Sequence, residues 1–135
     1  MTTFVTASVC VLRDGALLTV RKRGTSMFML PGGKLEPGET PVDCAVREAE
    51  EEVGLSLAAA DLTELGDWTS PAANEPGALV QSTVFLTPDG QPEPRPLGEI
   101  EELRWQPLGE RADDLAPLLV EHVLPALETP DSVPG

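Results

Sequence analysis

Residues Gly32–Leu55 read GGKLEPGETPVDCAVREAEEEVGL, a glycine loop followed at once by a helix start and a cluster of carboxylates. Gly32, Gly33 and Gly38, interspersed with Pro31 and Pro37, exclude regular structure, because glycine tolerates positive φ and proline removes a backbone donor. Thr40 then stands before Pro41, with Asp43 three residues on. This is an N-cap, a proline at the first helical position and an acidic form of the capping box, so a helix is predicted from about Pro41. Val42, Ala45, Val46, Ala49 and Val53 fall on one stripe of that helix and predict its packed face. Gly54 is a natural terminator.

Glu48, Glu51 and Glu52, spaced i, i+3 and i+4, share a flank beside that stripe. Three like charges repel there, and only Arg47, one turn before Glu51, gives local relief. A cation would remove the cost. Hard ions such as Mg²⁺ or Mn²⁺ take carboxylate oxygens and keep waters free for substrate phosphates. Taken alone, however, the glutamates read as a solvated acidic helix face, by far the commoner fate of a charge run.

The whole stretch resembles the signature of the Nudix hydrolases, G-x5-E-x7-R-E-U-x-E-E-x-G-U with U aliphatic. The match runs through Gly33, Glu39, Arg47, Glu48, Ala49, Glu51, Glu52, Gly54 and Leu55. Ala49 is the one small residue where a larger aliphatic is common. The resemblance implies that Glu48 and Glu52 ligate a divalent ion, Mg²⁺ or Mn²⁺, with Glu51 as a further ligand or the general base. It also implies that the Gly32 carbonyl joins the coordination and that Arg47, with Glu39, holds a glutamate in place. Gly33, Glu39 and Gly54 would serve as structural positions of the motif. By the same resemblance the fold is an αβα sandwich of the α/β (α+β) class, a mixed β-sheet between helices. One domain is expected over residues 1–128, with a flexible tail over 129–135.

A chain of 135 residues fits one core, and its 41% hydrophobic content supports a globular fold. No apolar run approaches the ~20 residues of a membrane span, and MTTFVTASVC is no secretory leader. A cytoplasmic protein with no membrane contact is expected. The net charge of −14 argues against binding nucleic-acid polymers, which relies on basic surface. Small phosphates brought in with a cation remain compatible with it. Cys10 and Cys44 lack metal-ligand spacing and read as buried thiols, with Cys44 close to the glutamate flank.

Taken in order, Thr2–Leu12 predicts a strand, Asp14-Gly15 a hairpin turn, and Ala16–Lys22 a second strand. Arg21, Lys22 and Arg23 form the only dense basic cluster, so Arg21 and Arg23 are candidate phosphate contacts, with a solvated strand end as the alternative. Ser26–Leu30 reads as a short strand in which Phe28 is core or, in the sharper reading, a base-stacking ring. Asp61–Ser70 and Ala78–Leu86 predict strands separated by the loop PAANEPG, and Thr87–Pro96 is an exposed loop. Glu99–Trp105 continues as a strand whose register depends on a bulge. By resemblance to the family, Glu99 and Glu102 are candidates for a further acidic residue at the site. Asp113 or Asp114 is expected to cap a last helix carrying Leu115, Leu118, Leu119, His122, Val123 and Leu127, with a kink or stop at Pro125.

Other enzyme signatures are excluded. Gly33-Lys34 resembles the end of a phosphate-binding loop, but Phe28 and Leu35 occupy positions that need glycine and a hydroxyl. No G-x-S-x-G elbow and no dinucleotide-binding glycine loop occurs. The expected activity is metal-dependent hydrolysis of a diphosphate linkage in a nucleoside diphosphate joined to another group, as a pyrophosphohydrolase acting most naturally on nucleoside triphosphates. ADP-ribose or a nucleotide sugar is the alternative substrate, and a non-catalytic nucleotide-binding module is the alternative class. Dimerisation is common in similar folds.

Overall fold

The computed structural model describes residues 2–129. From residue 130 the expected tail lies outside the described residues. Strand β1 (Thr3–Cys10) runs into a hairpin, β2 (Leu12–Arg13) and β3 (Ala16–Lys22), whose turn is Asp14-Gly15. Both turn residues have positive φ, 51° and 76°, which is the geometry that matches the twist of paired strands. Strand β4 (Gly32–Lys34) leads to helix α1 (Pro41–Val53), and β5 (Thr63–Pro71), β6 (Leu79–Leu86) and β7 (Ile100–Pro107) follow. A π-helical turn at Leu119–Val123 continues into α2 (Leu124–Glu128).

The strands form two sheets. A mixed four-stranded sheet has the order β4-β1-β6-β5, with β1 and β6 parallel, and an antiparallel sheet has the order β2-β3-β7. Alternation along the strands builds two cores. Ala7, Val9, Leu18, Val20 and Phe85 pack with Cys44, Ala45, Ala49 and Val53 of α1. Cys10, Leu17, Val84 and Leu86 pack with Leu115, Leu119, Val123, Leu124 and Leu127 at the C-terminal end. Helices therefore cover opposite faces of the strands, as the layered α+β reading requires.

Helix α1 begins as predicted. Thr40 Oγ1 accepts the Asp43 N–H at 3.2 Å, and Gly54, at φ 72°, closes the helix. Its buried side is rotated from the predicted stripe: Val42 and Val46 are only partly covered, whereas Cys44 and Glu52 are buried.

Four expectations are corrected. Gly32 and Gly33, expected to exclude regular structure, pair with β1 within β4, because neither takes a positive φ and Pro31 and Pro37 lie outside the paired residues. Ser26–Leu30 makes no strand, only isolated bridges from Met29 to Val20 and from Phe28 to Leu115. The physical reason is that its backbone bonds alternate between β3 and residues 114–116, so no single strand runs beside it. The last helix is not capped by Asp113 or Asp114. Asp114 is occupied instead, its carboxylate by Arg104 and its carbonyl by the Phe28 N–H, and helical structure begins at Pro117, a residue suited to a first turn. Pro125 does not end that helix, because the preceding π turn, with the Leu124 N–H reaching Leu119, shifts the ladder by one residue.

The bulge lies within Glu99–Trp105: Arg21 and Lys22 face Glu102 and Ile100 respectively, which leaves Glu101 unpaired between them. Ile100 reaches the core, while Leu103 and Trp105 are partly buried.

Candidate active site

Helix α1 crosses the glycine strand β4 so closely that two glycines face two glutamates. A Cβ on Gly33 would lie 2.5 Å from Glu48 Oε1, and the Gly32 N–H donates to Glu52 Oε1 at 3.0 Å. Glycine is required at position 33 by the approach of the Glu48 carboxylate and at position 32 by the approach of β1, rather than by backbone conformation. Glu52 is only 6% exposed.

Arg47 ties the remaining acids together. Its Nε and Nη2 donate to both oxygens of Glu39, at 2.8 and 2.9 Å, and its Nη1 donates to Glu48 at 2.8 Å and to Glu51 at 3.3 Å. Nη2 also donates to the Lys34 carbonyl at 3.2 Å, so the guanidinium clamps the glycine strand to the helix. Glu39 is held in turn by the Glu36 N–H at 3.0 Å. Its hydrogen bonds to Arg47 pull its pKa down to about 2.

The two inner glutamates behave differently. Burial pushes Glu52 up to about 7, against the lowering effect of the Gly32 N–H. Glu48 is raised as well, chiefly by burial, although its hydrogen bond to Arg47 opposes this. Glu52, buried and bonded only to a backbone N–H, is costly when charged, whereas the partly buried Glu48 has Arg47 beside it.

These groups line one end of a cleft of about 790 Å³. Of the candidates named from sequence, the structure brings together Gly32, Gly33, Arg47, Glu48, Glu51, Glu52 and Glu99 along this cleft. Glu39 stands behind Arg47, and Gly54 closes the helix at its far end. Arg21, Arg23, Phe28 and Glu102 do not line it. Arg21 bonds Glu102 and the Thr25 carbonyl, Arg23 reaches Glu101 and the Gly98 carbonyl, and Phe28 is buried beneath the Arg104 guanidinium at 3.7 Å.

Several cleft residues were not singled out by sequence reasoning. Lys22 lies in the cleft with its Nζ 3.8 Å from Glu99, and Lys34, Glu36, Ser8, Ser82 and Asn74 line it too. Lys22 had a signal, its place in the basic cluster. The serines had none, since β1 and β6 also carry Thr6, Gln81 and Thr83.

The acidic end fits a hard divalent ion by donor chemistry, since Glu48, Glu51 and Glu52 offer carboxylate oxygens. Among the described residues, no three acidic, cysteine or histidine side chains already converge on one point. Glu48 is turned to Arg47 and Glu52 to the Gly32 N–H.

The chain matches the NUDIX domain family over residues 2–126. A MutT-like protein of Streptomyces ambofaciens is 30% identical over 122 residues, covering 90% of this chain and 75% of that one. A MutT NUDIX hydrolase of Burkholderia pseudomallei superposes with a TM-score of 0.76 at 24% identity, covering 96% of this chain and 100% of the other. A bifunctional NMN adenylyltransferase/ADP ribose pyrophosphatase of Francisella tularensis, complexed with AMP and a Mn ion, gives 0.71 at 22% identity, covering 93% of this chain and 41% of that one. Other curated relatives match over shorter stretches, and this chain spans less than half of their length. With the family matched along nearly the whole chain and the fold shared from end to end, this chain belongs to the NUDIX family of pyrophosphohydrolases.

Proposed function

We propose that this protein hydrolyses the diphosphate linkage of nucleoside triphosphates or related nucleotides, in the cytoplasm, with Mg²⁺ or Mn²⁺ held by Glu48, Glu52, Glu51 and the Gly32 carbonyl. The observation that carries the proposal is the buried Glu52 and the partly buried Glu48, set against glycine backbone at one end of a cleft large enough for a nucleotide. When bound, the ion supplies positive charge to the phosphates and makes a coordinated water more acidic.

The chain's own residues supply the rest. Arg47 fixes the Glu48 carboxylate and spans Glu39 and Glu51, so the acids keep their positions while substrate exchanges. Glu51, exposed beside the cleft, is the further ligand or, left free by the ion, the group that takes the proton of the attacking water. Lys22 offers an ammonium group to a substrate phosphate. The water oxygen adds to phosphorus, the bridging P–O bond breaks, and the proton passes to the carboxylate. A nucleotide and a phosphorylated remainder or pyrophosphate leave.

The test is a screen of nucleoside triphosphates, ADP-ribose, nucleotide sugars and dinucleoside polyphosphates with Mg²⁺ and with Mn²⁺, with a Glu51→Gln, Glu52→Gln double variant as blank. Metal-dependent release from triphosphates, absent in the blank, is expected. Turnover of ADP-ribose or sugar nucleotides alone would move the substrate assignment. Nucleotide binding without any cleavage would make the chain a binding module.

A further inference from the structure

The strand order fixes the direction of the cleft. It runs from the glutamates at β4 across β1 and β6 to the loop that follows β5, where Asn74 lies. That far end has no free aromatic ring. Phe28 carries Arg104, Trp105 carries Arg13 at 4.8 Å, and Trp68 stacks on His122 at 5.6 Å. Phe85 is buried in the core beneath α1, and Phe4, which does line the cleft, carries the Lys34 ammonium at 3.9 Å. A base entering there meets the apolar side chains of Met29, Ala73 and Leu118 and a few polar groups.

Those polar groups have a defined sense. Asn74 accepts the Met27 N–H at 3.4 Å, which identifies its bonded atom as Oδ1. Its NH₂ group is left with only the weakly accepting Met29 sulfur at 4.0 Å. The amide therefore faces the cleft as a donor. On the floor, Ser8 and Ser82, 5% and 1% exposed, share one hydrogen bond of 3.0 Å. That bond uses one of two O–H groups, and among the described residues the other has no acceptor.

We infer that Asn74 is a specificity-determining residue that reads the nucleobase, so that the cleft prefers bases presenting a carbonyl oxygen, such as guanine and uracil, over adenine. This rests on the nucleotide reading above. A carbonyl accepts from the Asn74 NH₂, whereas the exocyclic amine of adenine sets donor against donor. The spare serine O–H serves the sugar or base from below, whichever base is bound.

The experiment is calorimetric titration of GMP, UMP and AMP into the metal-free protein, since monophosphates bind without being cleaved. GMP and UMP are expected to bind about tenfold or more tightly than AMP, the scale set by one mismatched hydrogen bond. Asn74→Ala should bring the three within about twofold. Asn74→Asp keeps an acceptor for Met27 and turns the other oxygen into an acceptor, so it should favour AMP. Equal binding by the wild type, no binding of any of the three, or a preference that survives Asn74→Ala would overturn the inference. Turnover of GTP, UTP and ATP is followed separately. Base preference without turnover defeats the proposed reaction and leaves Asn74 standing; turnover without preference does the opposite.

Discussion

The Glu52 carboxylate accepts the Gly32 N–H at 3.0 Å from a position that is 6% exposed, which makes it a charged group sealed against backbone. Burial raises its pKa from 4.5 to about 7. Between those values the folded chain holds a proton that the unfolded chain has released, so the associated stability is full below about 4.5 and is lost as pH rises through about 7. A shift of this size corresponds to about 3–4 kcal/mol. Glu52→Gln keeps an acceptor for Gly32 and removes the charge. Without metal, the variant is expected to melt several degrees above the wild type at pH 8 and near it at pH 5. Mg²⁺ should raise the melting temperature of the wild type only. Calorimetric melts across pH, with and without Mg²⁺, check both halves.

Arg47 makes a two-pronged bond to Glu39 while also reaching Glu48 and Glu51. A lysine can carry the charge but cannot present that fork. Arg47→Lys and Arg47→Ala should therefore both lower kcat by about 10–100-fold, the usual scale for losing a group that positions ligands. If Arg47→Lys kept wild-type kcat, charge alone would explain the residue and the fork would be irrelevant.

Gly32 and Gly33 are adjacent, yet their alanine variants should fail differently. A Cβ on Gly33 meets the far end of Glu48, which can swing away, whereas one on Gly32 meets the Ala7 carbonyl at 2.3 Å and Ser8 Cβ at 2.6 Å. Gly33→Ala should leave the melting temperature nearly unchanged while weakening Mg²⁺ binding and turnover. Gly32→Ala should destabilise the fold, because strand β4 must move off β1. Thermal melts paired with metal titration separate the two.

These local effects mark what was legible in the sequence. The α1 start at Thr40-Pro41, the Gly54 stop and the Asp14-Gly15 turn were readable because each rests on conformations that a few neighbouring residues impose. The placing of Glu48 and Glu52 against glycines was readable only as a motif, since the contact joins a strand and a helix. What stayed hidden depended on distant partners. Residues 26–30 look like a strand but have bonds split between β3 and residues 114–116, and Asp114 looks like a cap but is taken by Arg104. Phe28 is core, as its apolar stretch suggested, but the Arg104 guanidinium over its ring comes from far along the chain.

The basic cluster shows the same limit at single-residue resolution, and it yields the last prediction. Arg21, Lys22 and Arg23 are equivalent in sequence, but successive side chains of a strand point to opposite faces, and opposite them the register shift leaves Glu101 of β7 unpaired. Arg21 is carried to Glu102 and the Thr25 carbonyl, while Lys22 is carried into the cleft beside Glu99. Arg21→Ala should therefore leave KM within about twofold, since it removes only a partly exposed ion pair and one backbone contact of its own loop. Lys22→Ala should raise KM by about tenfold with a smaller change in kcat, as expected when a phosphate contact present in both ground and transition states is lost. The assay is steady-state hydrolysis at fixed Mg²⁺. The opposite ranking, with Arg21 the sensitive position, would mean that the substrate phosphates lie on the outer side of β3 and that the cleft has been assigned the wrong ligand.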